Sequence, residues 1–252
     1  MRRVVVLALP GVELLDLAGP VQTFHEANAC GGAFDVRTCS PHETVETEQR
    51  LRLAGLGPLP EPAAGDIVVV PGIRLDGLET IGRDVLRWLR GAREAGALVA
   101  SVCTGAFVLG EAGLLAGRRC TTHWLRVAEL ATRFPGAHVL DDRLFVEDDG
   151  VTTSAGIASG IDMALGLVER LHGPIVAART ARRLVVYLRR DGSRRQGSVY
   201  LDYRTHLDPG VHRVQDRIVM HPERPVTLEA LAREAAMSPR NLTRAFRRAT
   251  GL

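Results

Sequence analysis

Leu98-Val99-Ala100-Ser101-Val102-Cys103-Thr104-Gly105-Ala106 is an apolar run that stops at a cysteine, passes through Thr-Gly, and continues into the helix-like Ala106-Phe107-Val108-Leu109-Gly110-Glu111-Ala112. Strand, sharp turn and helix in that order put Cys103 on the bend, where a side chain stands clear of a sheet, and Gly105 allows close backbone approach. A helix opening there aims unpaired N–H groups and a positive dipole end at the sulfur, which favours thiolate over thiol. A buried structural cysteine at a strand end fits the same residues, because free cysteine is among the most buried residue types. On this segment alone both readings stay open.

The flanking sequence repeats the pattern. Val4 to Leu9, Phe34 to Cys39 and Asp66 to Gly72 read as strands, and Val12 to Ala29 and Thr80 to Ala95 as helices. Glu43 to Leu53 reads as a hairpin or excursion, and Thr121-Thr122-His123-Trp124 opens a helix reaching about Phe134. Short strands follow at His138 to Leu140, Leu144 to Glu147 and Val151 to Ser154, and Ala155 to Gly160 turns into a helix through Leu171. Val/Ile/Leu-rich strands alternating with helices predict an α/β fold with an open parallel sheet covered on both faces. Ligands of such sheets sit at the carboxyl ends of the strands. Asp16, Gly72, Cys103 and Gly156 all fall just past strand ends, which favours the reactive cysteine.

The 252 residues are 46% hydrophobic and 24% charged, enough for a sizeable core. Four cysteines without tight spacing give no disulfide framework, which implies a reducing cytoplasm. No stretch approaches a membrane span, and no His/Cys/carboxylate set has metal-ligand spacing. No cofactor is implied. The net charge of +3 is unevenly spread: every basic residue is arginine, and from Arg179 onward 16 arginines face seven acids, a net +9 on a body of −6. A basic appendage on a mildly acidic body fits contact with nucleic acid; a solvated helical surface fits it too.

Gly173-Pro174 closes the first domain, Ile175 to Arg190 reads as a basic amphipathic helix, and Asp191 to Ser198 as a flexible linker. In the tail, Leu228, Leu231 and Ala235 form one apolar stripe and Leu242, Ala245 and Phe246 another. Met237-Ser238-Pro239 between them is a turn with Ser as N-cap and Pro in the first helical turn. Two short helices with a tight turn make a helix-turn-helix. Arg240, Arg244 and Arg247 share one face of the second helix, with Asn241 and Arg248 beside it, side chains suited to base edges and phosphates in a major groove.

Leu15-Asp16-Leu17-Ala18-Gly19-Pro20, Ser101 to Gly105, Leu109 to Gly117 with Thr121-Thr122-His123-Trp124, and Ala155 to Leu165 resemble the ThiJ/PfpI superfamily. That superfamily has a flavodoxin-like fold related to class I glutamine amidotransferases. Within it the chain is most similar to isocyanide hydratases and to the sensor domains of GlxA-type transcription regulators. The resemblance implies that Cys103 is the elbow cysteine, with Asp16 the acid close to its sulfur. It also implies that N–H groups near Gly72 and Thr104 form an oxyanion-hole-like site. An acid beside a thiolate can donate a hydrogen bond or shuttle a proton if burial raises its pKa, while a first-turn carboxylate complementing the helix dipole explains Asp16 without catalysis. Thr104 stands where peptidase-like relatives carry a histidine, which argues against a Cys-His protease. His123 replaces that base only if the fold brings it close, and a structural histidine is the simpler reading. Ile73 follows Gly72 where many relatives have a second glycine, reshaping the pocket, and Cys120 replaces a small residue.

The segment from Asp216 to Leu252, with His221-Pro222-Glu223-Arg224-Pro225, resembles the first half of the AraC-type DNA-binding domain. That domain has two helix-turn-helix units, and this chain stops where the connector between them would begin, implying a truncated or a vestigial tail. The expected organisation is a ThiJ/PfpI-like domain over 1–172, a basic helix and linker over 173–205, and a partial AraC-type domain over 206–252. The resulting expectation is a cytoplasmic, homodimeric, DNA-binding regulator. A small metabolite would bind among Cys103, Asp16, Thr104, Gly72, Ile73, His123 and Gly156. A cysteine-dependent hydratase, or an oxidation or electrophile sensor at Cys103, would use the same cleft.

Overall fold

The unbroken Val/Ile/Leu runs become the centre of one sheet. The computed structural model describes residues 1–198, 201 and 203–252. Residues 199, 200 and 202, inside the stretch read as basic helix and linker, lie outside the described residues. The chain separates into two compact units, Met1–Gln196 and Gly197–Leu252.

In the first unit, β1 (Arg2–Leu7), β2 (Phe34–Cys39), β5 (Ile67–Val70), β6 (Leu98–Val102), β9 (Phe145–Asp148) and β10 (Val151–Ser154) form a six-stranded sheet in the order β2-β1-β5-β6-β10-β9. All pairs are parallel except the last: Val5 lies opposite Arg37 and Val68, Val68 opposite Val99, and Thr152 opposite Ala100, but Thr153 opposes Val146 antiparallel. The sheet is parallel, as expected, apart from this one antiparallel edge pair. The cause is local: Asp149 and Gly150 both have positive φ (40° and 71°), the conformation of a two-residue hairpin turn, so β9 folds back on β10 as an edge strand. The excursion at Glu43 to Leu53 is a small hairpin of β3 (Thr44–Glu46) and β4 (Arg52–Ala54), and β7 (Arg119–Cys120) pairs with β8 (His138–Val139).

Helices α1 (Leu14–Asn28), α5 (Ala158–His172) and α6 (Pro174–Arg183) pack on one another in one layer, and α2 (Arg83–Glu94) and α3 (Gly105–Glu111) in a second; α4 (Val127–Arg133) is short. Every residue of β5 and four of five in β6 are buried, as are Gly105 to Leu109 of α3. That core explains why these strands read as continuous apolar runs rather than alternating ones. Helix α6 ends at Arg183, well before Arg190, and sits against α1 and α5 inside the first unit.

The second unit contains α7 (Pro209–Met220), α8 (Leu228–Glu234) and α9 (Pro239–Thr250). Its core is small: Val214, Ala232, Ala235 and Leu242, with Leu231, Met237 and Phe246 against them. Leu228, read as core, is 45% exposed, and Ala232 takes its place on the buried face. Asp208, Thr227 and Ser238 cap the three helices through their side chains. Among the described residues no helix is long and apolar enough to cross a membrane.

Candidate functional site

The end of β6 meets α3 without a linker, and Cys103 takes up the change of direction at φ 54°. A left-handed conformation at a non-glycine residue is strained, and here the surroundings fix it. The Cys103 N–H donates to the Ser154 carbonyl (3.0 Å), and the Thr122 hydroxyl donates to the Cys103 carbonyl (2.8 Å). Gly105 then lies against the Val70 and Pro71 carbonyls so closely that any Cβ would overlap them.

Asp16 is fully buried in the first turn of α1. Its Oδ1 accepts the Ile157 N–H (2.7 Å) and its Oδ2 accepts the Gly72 N–H (3.2 Å), and both its Oδ2 and Cys103 Cβ crowd Gly72, which brings the carboxylate near the thiol. The acid thus ties together three strand ends far apart in sequence. Both flanking glycines are required by contact. A Cβ at Gly72 would overlap Asp16 Oδ2, and one at Gly156 would sit 2.7 Å from Cys103 Cβ and 2.9 Å from its Sγ. Ile157 holds φ 43° to present its N–H, a rare conformation for a β-branched residue.

Electrostatics reverse one expectation. Burial, then the charge of Asp16, push the Cys103 thiol up to about 12, against the opposing pull of the Thr104 N–H. The seven-residue α3 does not offset that desolvation, so the sulfur rests as a thiol rather than a thiolate. Burial also lifts Asp16 to about 6, partly opposed by the Ile157 N–H, with the Glu13 charge adding to the rise. Near neutral pH the pair is therefore a protonated sulfur beside a carboxyl group that exchanges its proton readily.

Thr104 and Ile73 engage each other: the Thr104 hydroxyl accepts the Ile73 N–H (2.9 Å) and donates to the Ile73 carbonyl (2.7 Å). Of the backbone donors expected near Gly72 and Thr104, that of Gly72 is held by Asp16 and that of Ile73 by Thr104, while that of Thr104 faces the sulfur. The Gly72 and Ile73 donors are thus occupied, and the Thr104 N–H is the donor aimed at the sulfur. His123 Nδ1 accepts the Leu125 N–H (3.4 Å) at the turn over 124–126, and burial lowers its pKa.

A cavity of about 400 Å³ opens over Cys103 and Thr104. Besides Ile73 and Leu75 it is lined by Glu13, Glu48, Arg74, Asp76 and Arg126. Arg74 pairs with Asp76 and Glu48, and Arg126 with Glu129 (2.9 Å). Glu13 lies three residues before Asp16 in sequence. The others arrive from loops whose approach no local pattern announces.

In the second unit Arg240, Asn241, Arg244, Arg247 and Arg248 are all exposed on α9. Arg244 reaches the Asn241 side chain (3.4 Å), and Arg248 lies 3.9 Å from Asp208. The buried stripe of Leu242 and Ala245 holds the opposite side of the helix.

Residues 2–170 match the DJ-1/PfpI family, and the chain belongs to it. It is 34% identical over 167 residues to isonitrile hydratase of Pseudomonas putida, covering 66% of this chain and 71% of that protein. It is 28% identical over 251 residues to the HTH-type transcriptional regulator GbdR of Pseudomonas aeruginosa, covering 96% of this chain and 66% of that one. The structure of an AraC family transcriptional regulator from Pseudomonas putida superposes with a TM-score of 0.65 at 23% identity, over 73% of this chain and all of that one, a likeness of fold. The chain spans about half to two thirds of the length of the regulators it matches.

Proposed function

We propose that the chain is a DNA-binding transcription regulator whose DJ-1/PfpI domain senses a small metabolite in the Cys103/Asp16 cleft. The observation that carries this reading is the exposed arginine face of α9, in a helical unit with capped helices on the same chain as the cleft. The similarity to GbdR runs through both units, which supports it. Arg240, Asn241, Arg244, Arg247 and Arg248 contact DNA, and residues 206–252 act as an AraC-type helix-turn-helix segment. The protein works in the cytoplasm as a homodimer, in which α9 of the second protomer adds its contacts to those of the first. Ligand occupancy biases the geometry of the segment between the units and so the placement of α9. The test is selection of bound duplexes from a random-sequence pool, followed by mobility shift across a salt series. Salt-sensitive binding that weakens in Arg240→Ala and Arg244→Ala supports the reading; no binding at low salt ends it.

A cysteine-dependent hydratase is the second reading, favoured by the closeness of Asp16 to Cys103 around Gly72 and the likeness to isonitrile hydratase. The sulfur would attack the isocyanide carbon, Asp16 would relay the thiol proton to that carbon, and water would add to release the product and restore the thiol. The occupied N–H donors at Gly72 and Ile73 weigh against it. Turnover of an isocyanide that disappears in Cys103→Ala and Asp16→Asn would promote it.

A further inference from the structure

Residues 189–196, which lead out of the first unit, are strapped onto it. Arg190 grips the buried Asp162 of α5 through its backbone N–H (3.1 Å), Nε (3.0 Å) and guanidinium Nη2 (2.6 Å), and Arg189 pairs with Glu169. Gly192 lies so close to Phe145 that a Cβ would overlap its carbonyl, and the Leu144 N–H donates to the Arg194 carbonyl (3.0 Å). At the end of the strap the Gln196 N–H donates to Asp142 Oδ1 (2.9 Å), and Gln196 Nε2 donates to the Thr122 carbonyl (3.0 Å). The same Thr122 holds the Cys103 carbonyl through its hydroxyl.

The segment 121–126 therefore has two working ends. Arg126 lines the cavity over Cys103, and Thr122 joins the elbow backbone on one side to Gln196 on the other. Thr121 pins the segment in place: its N–H donates to Thr153 Oγ1 (2.8 Å) and its hydroxyl to the Leu140 carbonyl (2.9 Å). Gln196 Oε1 is buried without a hydrogen-bond partner, so its amide is held by Nε2 alone, which also reaches Thr121 Oγ1 (3.4 Å).

The geometry points to Gln196 as a latch that reads the state of the Cys103 elbow through Thr122 and governs whether the strap 189–196 is docked. This rests on the regulator reading and supplies its coupling: occupancy that shifts the elbow or Arg126 changes the purchase of Gln196 and so frees or holds the segment leading to the second unit. Coupling of this kind is reciprocal, so opening the latch also changes the environment of the sulfur.

The experiment is amide hydrogen exchange on the full chain, with the rate of iodoacetamide alkylation at Cys103 followed in a Cys30→Ser background, Cys30 being the other cysteine that is not fully buried. Gln196→Ala should raise exchange over 189–196 about fivefold, the factor equivalent to one hydrogen bond of about 1 kcal/mol, and Thr122→Val, which keeps the carbonyl that Gln196 uses but frees the segment from the elbow, should raise it too. Thr122→Ser, which keeps the hydroxyl, should match wild type, and β1 and β2 should stay protected throughout. Gln196→Ala should also alter Cys103 alkylation severalfold, which a strap that is only structural would not do. A strap that loosens in Gln196→Ala but not in Thr122→Val is docked without being linked to the elbow, and overturns the inference. An unchanged strap in both variants does so too. If Thr122→Val loses protection in β1 and β2, the alkylation rate in Gln196→Ala decides alone. Neither readout needs DNA, so failure to bind DNA with an intact latch would sink the regulator reading and leave the latch standing.

Discussion

At the scale of single residues the site is a contest between burial and charge. Asp16 has a folded-state pKa of about 6 against a model-peptide value of 3.8. Between those pH values the folded chain keeps a proton that the unfolded chain has released. The stabilisation is complete below about pH 4 and is lost as pH rises through about 6, a swing of about 3 kcal/mol. Denaturant unfolding of wild type and Asp16→Asn at steps from pH 4 to 7 should show wild type losing ground to the variant by about that amount. A difference that is flat or rises with pH would contradict the burial argument. The same charge helps hold Cys103 at about 12. Iodoacetamide should therefore react with Cys103 at pH 7.5 far more slowly than with a free thiol, and faster in Asp16→Asn. Mass spectrometry of the modified peptide reads this directly; equal rates in the two proteins would show that burial alone sets the thiol.

At the scale of elements, the strand–elbow–helix unit depends on close backbone approach. Gly105→Ala drives a methyl group into the Val70 carbonyl and should cost about 3 kcal/mol or more in unfolding free energy. A drop below about 1 kcal/mol would mean that α3 can slide away from β5. Ser238→Ala removes the side chain that accepts the Asn241 N–H (3.3 Å) at the start of α9, and should cost about 1 kcal/mol, read as lost helicity or a lower melting point of the second unit. Much at this scale was legible in the sequence. The apolar runs ending at Gly72, Cys103 and Ser154 marked the strands, and the residues just past them lie together around Asp16, because parallel-sheet topology gathers those ends. The departures have physical causes. The edge strand β9 reverses because Asp149-Gly150 makes a tight turn, a signal present in the sequence but not used. The strap over 191–196 looked flexible because Gly, Ser and Arg carry no local preference for order; what holds it lies far away, at Asp162, Asp142, Leu144 and Thr122. The thiolate expectation failed because a dipole argument is local, whereas desolvation depends on everything packed around the sulfur.

At the scale of the whole molecule, two units of unequal depth share one chain. The first has a sheet with helices in two layers, while the second rests on a handful of buried side chains, among them Val214, Ala232, Ala235 and Leu242. Small cores bury a smaller fraction of their surface and are correspondingly marginal. Denaturant unfolding should therefore show two transitions, the weaker belonging to residues 197–252, and two-state treatment of the whole chain should fail. Leu242→Ala should lower that first transition by about 2–3 kcal/mol and leave the second unchanged. The separation has a functional consequence, because DNA binding would then disappear with the weaker transition while the cleft persists. Titrating urea into a mobility-shift assay, with Cys103 alkylation followed in parallel, checks this. DNA retention should fall at the first midpoint and alkylation should accelerate fully only at the second. Coincident loss of both would mean that the two units unfold as one, and the arginine face of α9 would then have no stability of its own.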